Sequence, residues 1–299
     1  MLRKFQTRIS KPLVLSVFSK CSEEKMYRMY KRSRFAIPLL AILTTAHSLD
    51  AVFSDVTSWL PTSLVARQSE QSSEEYRLRP RATIELSLVR GSVKVETWNK
   101  PFAVVNIVKH GRSAEELAET SLVVDATPAK LLLNSNQPHA QSLIDISLVV
   151  PADTSVSVSV NEQGSITIVS APRTLKLHTQ HGEITGTTYT DGAIQANTEQ
   201  GSIIITCEAF SPTSSLLCTA PQGTITLYLP PMVQARLEAK SQRASVLSQL
   251  PITFDAFTTK LEKNTWKQLQ KKVKGLLGEG DAPITLTARG TIFIKRYEP

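Results

Sequence analysis

Three sets of side chains in this 299-residue sequence have types and spacings that could do chemistry. His178, His181 and Glu183 fall in the short stretch HTQHGE, and two imidazoles brought together across a turn can share a metal ion. No third His or Cys lies nearby, and His181 also fits a recurring polar position described below. A structural role is therefore the better reading of this cluster. Glu162 and Glu199 hold the same place in two copies of a repeated phrase. Stacked two strand steps apart they would stand roughly 10 Å from each other, a separation that an inverting glycosidase can use. Glu and Gln alternating on an exposed turn also serve solubility, and nothing in the sequence marks a cleft. Cys207 and Cys218 fall where strand alternation points inward. They fit buried thiols or, in an oxidising compartment, a disulfide. No phosphate-binding glycine loop, His-Glu zinc motif or nucleophile elbow is present. The expectation is a chain with no catalytic, cofactor or metal site.

The elements that would carry these residues are repeats. The phrases VNEQGSITIV, HTQHGEITGT, NTEQGSIIIT and TAPQGTITLY align on Gly164, Gly182, Gly201 and Gly223, spaced 18, 19 and 22 residues apart. Ala244 in SQRASVLSQL continues the series, and Gly91 and Gly290 carry matching phrases near the two ends. A period near 20 predicts a β-solenoid, in which each coil buries its apolar face only by stacking on neighbours. Two residues after the glycine stand Val93, Ile166, Ile184, Ile203, Ile225, Val246 and Ile292. Before the turn, Leu175 and Leu177, Ile194 and Ala196, Leu216 and Cys218, and Leu237 and Ala239 keep one register. Period-two alternation sends all of these to one face. The glycine is expected to supply the positive φ of a tight turn. Gln163, His181, Gln200 and Gln222 precede it and predict a polar turn column, either bonded along the stack or simply solvated.

From ATIELSLVRGSVKVETWNKP through IDISLVVPADTSVSVSVNEQGSITIV and the phrases that follow, the chain resembles a bacterial adhesin-type family, domain of unknown function 4097. The resemblance runs from about Arg81 to Arg296. It implies an exported, β-helix-like repeat protein of the cell envelope, and it brings no reaction and no catalytic residues.

Residues 1–35 hold ten Lys or Arg and two Glu, which accounts for the whole formal charge of +8. The remainder sums to zero and offers no global attraction for nucleic acid. YKRSRFAIPLLAILTTAHSLDA has the cationic start, short apolar run and small residues of an export signal, with cleavage expected after Ala46 or Ser48. A lipid anchor on Cys21 does not fit, because Lys20 stands where a small residue is required. The predicted organisation is a leader over 1–48, a flexible linker over 49–80 and one domain over 81–299. That domain divides into an entry module (81–150), repeat coils (151–250), a helical insertion (251–283) and closing strands (284–299). Within the entry module, Ser113 and Glu116 form a capping box opening a short helix.

FTTKLEKNTWKQLQKKVKGLL, Phe257 to Leu277, places Phe257, Leu261, Trp266, Leu269 and Val273 on or near one stripe at helical spacing, with lysines around it. Such a helix would cap the last coil or lie on an anionic membrane surface. Taken together, the sequence predicts an all-β, non-catalytic, periplasmic or cell-surface module whose partner is an envelope protein or a glycan. A glycan-active β-helix enzyme and an envelope-stress signalling component are the alternatives.

Overall fold

The computed structural model describes residues 68–254 and 271–298. The leader and Phe257, Leu261, Trp266 and Leu269 lie outside them. The first part of the chain forms β1 (Gln68–Arg77), β2 (Thr83–Leu88), β3 (Val93–Trp98) and β4 (Phe102–Gly111), then helix α1 (Ala114–Glu119), β5 (Ser121–Ala126), β6 (Lys130–Asn136) and β7 (Leu143–Pro151). The repeats form β8 (Ser155–Gln163), β9 (Ile166–Ile168), β10 (Thr174–His181), β11 (Ile184–Thr190), β12 (Ala193–Gln200), β13 (Ile203–Phe210), β14 (Ser215–Ala220) and β15 (Ile225–Leu229). The last part forms β16 (Ala235–Ser241), β17 (Val246–Ser248), β18 (Thr253–Phe254), β19 (Lys272–Leu277), β20 (Ala282–Ala288) and β21 (Ile292–Arg296).

These strands make two large sheets. The first has ten strands in the order β1-β4-β7-β3-β9-β11-β13-β15-β21-β17, and the second has eleven in the order β18-β19-β16-β20-β14-β12-β10-β8-β2-β6-β5. Along the repeats the chain visits the sheets alternately, and each strand pairs in parallel with its counterpart in the next repeat. The expected apolar row is continuous in the first sheet, where register aligns Val93, Ile166, Ile184, Ile203, Ile225, Ile292 and Val246. The second sheet answers it with Ile84, Val156, Leu175, Ile194, Leu216, Ile284 and Leu237. Every member except Val246 is buried. Burying an aliphatic side chain of this size stabilises by roughly 1.5–3 kcal/mol, so the two rows dominate the cohesion of the stack.

The two ends depart from simple succession. The β2–β3 pair does not stand outermost: β6 and β7 lie beyond it, pairing with β2 and β3 in parallel. Antiparallel strands then finish both edges, β5 on β6 and β4 with β1 on β7. At the other end β20 and β21 slot between β14–β15 and β16–β17.

Three expectations are corrected. Residues 68–77 of the predicted linker form β1, which pairs with β4 over ten residues. Its exposed Glu70, Glu74 and Glu75 suit an edge, because charge discourages further strand addition. Lys272–Leu277 of the predicted helix is the strand β19, antiparallel to β16. Its short KVKGLL pattern also fits period two, burying Val273 and Leu277 while Lys272 and Lys274 point to Glu238 at 3.9 and 3.0 Å. Pairing with β16 outweighs the helical spacing, as tertiary context commonly does.

The third correction concerns the turn glycines. Only Gly91, Gly182 and Gly201 have a positive φ, whereas Gly164 and Gly223 do not. All five share close approach instead. A Cβ on Gly164 would lie 1.8 Å from the Gly91 carbonyl oxygen, on Gly182 1.7 Å from that of Gly164, and on Gly223 1.6 Å from that of Gly201. The expected capping does appear: Ser113 Oγ accepts from the Glu116 amide at 3.3 Å, and the Glu116 carboxylate accepts from the Arg112 amide at 2.8 Å.

Candidate functional site

The turn column is the first place where predicted residues meet. Gln163, His181 and Gln200 stand side by side in register on β8, β10 and β12, and Gln222 lies past the end of β14. All four are exposed, and among the described residues no hydrogen bond joins their side chains. The column's ordering bonds come from residues that the sequence reading passed over. Thr179 and Thr198 are fully buried, and their hydroxyls donate to the carbonyls of Gly164 at 3.2 Å and Gly182 at 2.9 Å. Ser241 does the same to Gly290 at 2.9 Å. Each sits three residues before the turn position, so a Thr/Ser-x-x-Gly/Ala spacing was the available signal.

The candidate metal cluster is not assembled. His178 faces outward beside Asn197, with Asn197 Nδ2 and His178 Nδ1 3.2 Å apart, while Glu183 accepts from the Ser202 hydroxyl at 2.6 Å. Among the described residues no three His, Cys, Asp or Glu side chains gather around a common point. Of the carboxylate pair, Glu162 and Glu199 immediately precede Gln163 and Gln200, which are aligned through His181, and the bulge of β8 falls between Val160 and Gln163. The Arg90 guanidinium closes on the Glu162 carboxylate. Arg90 also donates to the carbonyls of Gln137 at 3.0 Å and His139 at 2.6 Å, so it ties the β2–β3 turn to the segment beyond it.

Asp145 carries an arrangement that no motif in the sequence advertised. One carboxylate oxygen accepts from the Ser92 amide at 2.8 Å and hydroxyl at 2.6 Å, and the other meets His110 Nε2 at 3.0 Å. The acid stands between the hydroxyl and the imidazole. A nucleophile-activating relay has the imidazole between them, so the order here serves to pin β3, β4 and β7 together. Cys207 and Cys218 lie on opposite sheets, β13 and β14, and both are fully buried. Burial pushes the Cys218 thiol well above its usual range, and Cys207 adds to the effect.

Neither of two surface depressions is lined by Glu162 or Glu199. One, of about 440 Å³, lies over the Gly91 and Gly164 turns beside Arg90 and Asp145. The other, of about 480 Å³, opens on the outer face of the first sheet, lined by Thr206, Tyr228, Gln249, Arg296, Tyr297 and Glu298. The register Thr206–Tyr228–Lys295 puts these positions on adjacent strands. Lys295 Nζ lies 5.3 Å from the Tyr228 ring centre and 5.6 Å from that of Phe293, within cation–π range. The Tyr297 hydroxyl donates to Glu208 at 3.1 Å, and Tyr189 bonds to the same carboxylate. Those bonds to Glu208 raise both phenols above their ordinary value.

Among the described residues no helix is long and apolar enough to cross a membrane. No family model matches the chain, and no curated protein matches it either. Several solved structures are similar in outline. A candidate cell adhesion protein from Clostridium sporogenes is 11% identical, with a TM-score of 0.42 over 76% of this chain and 100% of that one. A candidate adhesin from Bacteroides fragilis is 10% identical, with a TM-score of 0.30 over 76% of this chain and 97% of its own. A candidate lipid-binding protein from Parabacteroides distasonis is 9% identical, with a TM-score of 0.19 over 75% and 96%. At TM-scores below 0.5 these likenesses carry neither a function nor a detailed topology onto this chain.

Proposed function

We propose that the chain is an exported, non-catalytic module of adhesin type, built as a β-solenoid and acting by presenting its sheet faces to a partner in the cell envelope. The observation that carries this reading is the division between the two sides of each strand. Inward positions are filled mainly by aliphatic side chains, while outward positions carry hydroxyl, amide and charged groups on two broad faces, with aromatic rings among them on the first. A face held by a backbone ladder can recognise a partner without reacting with it. Parallel stacking of two-strand repeats supports the solenoid description, and the leader pattern supports export. Adhesion is also the role given to the Clostridium sporogenes and Bacteroides fragilis proteins, on which the proposal does not rest.

The test is cell fractionation of the full chain followed by binding of the purified protein to envelope preparations. The expected result is a protein lacking residues 1–48, recovered from the envelope or surface, and retained on envelope material. Recovery from the cytosol with the leader intact removes export. Polysaccharide cleavage that disappears in a Glu162→Gln, Glu199→Gln double variant replaces the binding module with a glycan-active enzyme.

A further inference from the structure

Along the repeats, the outer faces of the two sheets differ in one residue class. On the outer face of the first sheet, Tyr189, Tyr228, Phe293 and the adjoining Tyr297 gather over the neighbouring strands β11, β13, β15 and β21. The outer positions of β8, β10, β12, β14, β16 and β20 in the second sheet carry no Phe, Tyr or Trp. Tyr189 is 68% exposed, although a large aromatic ring would ordinarily be drawn into the core or against a partner.

The polar groups around these rings are already oriented. Glu208 is held between the hydroxyls of Tyr189 and Tyr297. The Gln249 side-chain carbonyl accepts from the Arg296 amide at 3.2 Å, which fixes the side chain and leaves its NH₂ as a donor. Lys295 is held over two rings and 3.4 Å from the Tyr228 hydroxyl. Lys295 and Arg296 are matched in charge by Glu208 and Glu298. The site therefore combines flat apolar rings with donors and acceptors and carries no net charge.

From this we infer that the depression at Tyr228 and Tyr297 is a binding site for a neutral saccharide chain. A sugar ring offers an apolar C–H face to an aromatic ring and an edge of hydroxyls that both donate and accept. A polyanion finds no net positive field here, and a hydrophobic peptide would bury the charges without partners. From Tyr189 on β11 to β21 is three strand steps, roughly 14 Å, long enough for a run of sugar rings along the stack. The inference rests on the binding-module reading and gives that module its ligand class and location.

The experiment measures retention of the full-length protein on immobilised neutral oligosaccharides of three kinds: gluco-, manno- and N-acetylglucosamine oligomers. Wild type, Tyr228→Ala, Tyr297→Ala and a control, Thr167→Ala on β9 of the same face, three strands from Tyr228, are compared beside their melting curves. A more conservative Tyr297→Phe keeps the ring and loses the bond to Glu208, so it remains informative if the alanine variants fold poorly. Binding of at least one oligomer, weakened tenfold or more by the alanine variants and untouched by Thr167→Ala, is the expected result. Retention on envelope material that the Tyr variants leave unchanged overturns the site while leaving the module intact. Retention only on proteins, sensitive to the Tyr variants, overturns the saccharide assignment. No retention on either support overturns both.

Discussion

Between Ser155 and Leu229 strands succeed one another in the sheets in the order in which they succeed one another in the chain. Before and after that region they do not. Gly91 is stacked directly against Gly164, and Gly223 against Gly290, although each pair is far apart in sequence. A parallel stack has an unpaired edge at each end, and an edge left open invites strand addition from other chains. With β2–β3 and β20–β21 set inward, antiparallel β5, β4 and β1 finish both sheets at one end, and β19 and β18 finish the second sheet at the other. The local phrase therefore decides that a segment becomes a repeat. The demand for covered edges decides where that repeat goes.

The sharpest way to break this comparison is to add one carbon in each region. In the middle, Gly182→Ala forces a Cβ to 1.7 Å from the Gly164 carbonyl oxygen, where both neighbours are fixed backbone. A loss of about 3–5 kcal/mol is expected, enough to remove cooperative unfolding from a domain of ordinary stability. At the rearranged end, Gly290→Ala meets the Gly223 oxygen at 2.7 Å and should cost less, about 1–2 kcal/mol, by small backbone shifts. Urea titrations of both variants provide the check. Equal losses would mean that the inserted repeat is held as tightly as the central ones.

A smaller effect tests whether the buried hydroxyls do the same work in both regions. Thr198→Val removes the donor to the Gly182 carbonyl, and Ser241→Ala removes the donor to Gly290. Each should destabilise by about 1–2 kcal/mol, read as a lower midpoint at unchanged slope in denaturant. A neutral Thr198→Val would show that the glycine carbonyls find other donors.

Reading the sequence alone recovered the two apolar rows and the cap of α1, because both are short-range patterns with a fixed period. Gly91 and Gly290 were recognised as matching phrases, yet nothing in them encodes which edge they meet, since every repeat offers the same parallel edge. Thr179 and Thr198 were passed over because threonine is ordinary on a strand, and only the inward parity of their positions marks them. Lys272–Leu277 was misread because six residues satisfy a helical and a strand period equally well. The ring cluster escaped notice for another reason: Tyr189, Tyr228 and Tyr297 are brought together only by stacking.

The smallest expected effect concerns Cys218, whose buried thiol keeps its proton well above the ordinary value of 9.0. In the unfolded chain the thiol ionises near that value, so the unfolded state binds fewer protons at alkaline pH. The stabilisation is complete below about pH 9 and is lost as pH rises above it. Denaturant midpoints at pH 8 and pH 10.5 should fall further for the unmodified chain than for Cys218→Ala. Parallel falls would show that other groups set the alkaline limit.

The inward placement of β20–β21 also bears on the order of events during synthesis. β14 and β15 acquire their parallel neighbours from the last seventeen or so residues of the described chain, and β16 reaches β14 only through β20. A chain emerging from its amino end can lay down the central repeats one after another, each templated by the last. It then has to hold β16 to β19 in waiting until β20 and β21 arrive to fill the gap. The closing step joins strands roughly 67 residues apart in the chain, which makes it slow. A chain cut before β20 is therefore expected to leave an open slot beside β14 and β15, and with it a site for proteolysis.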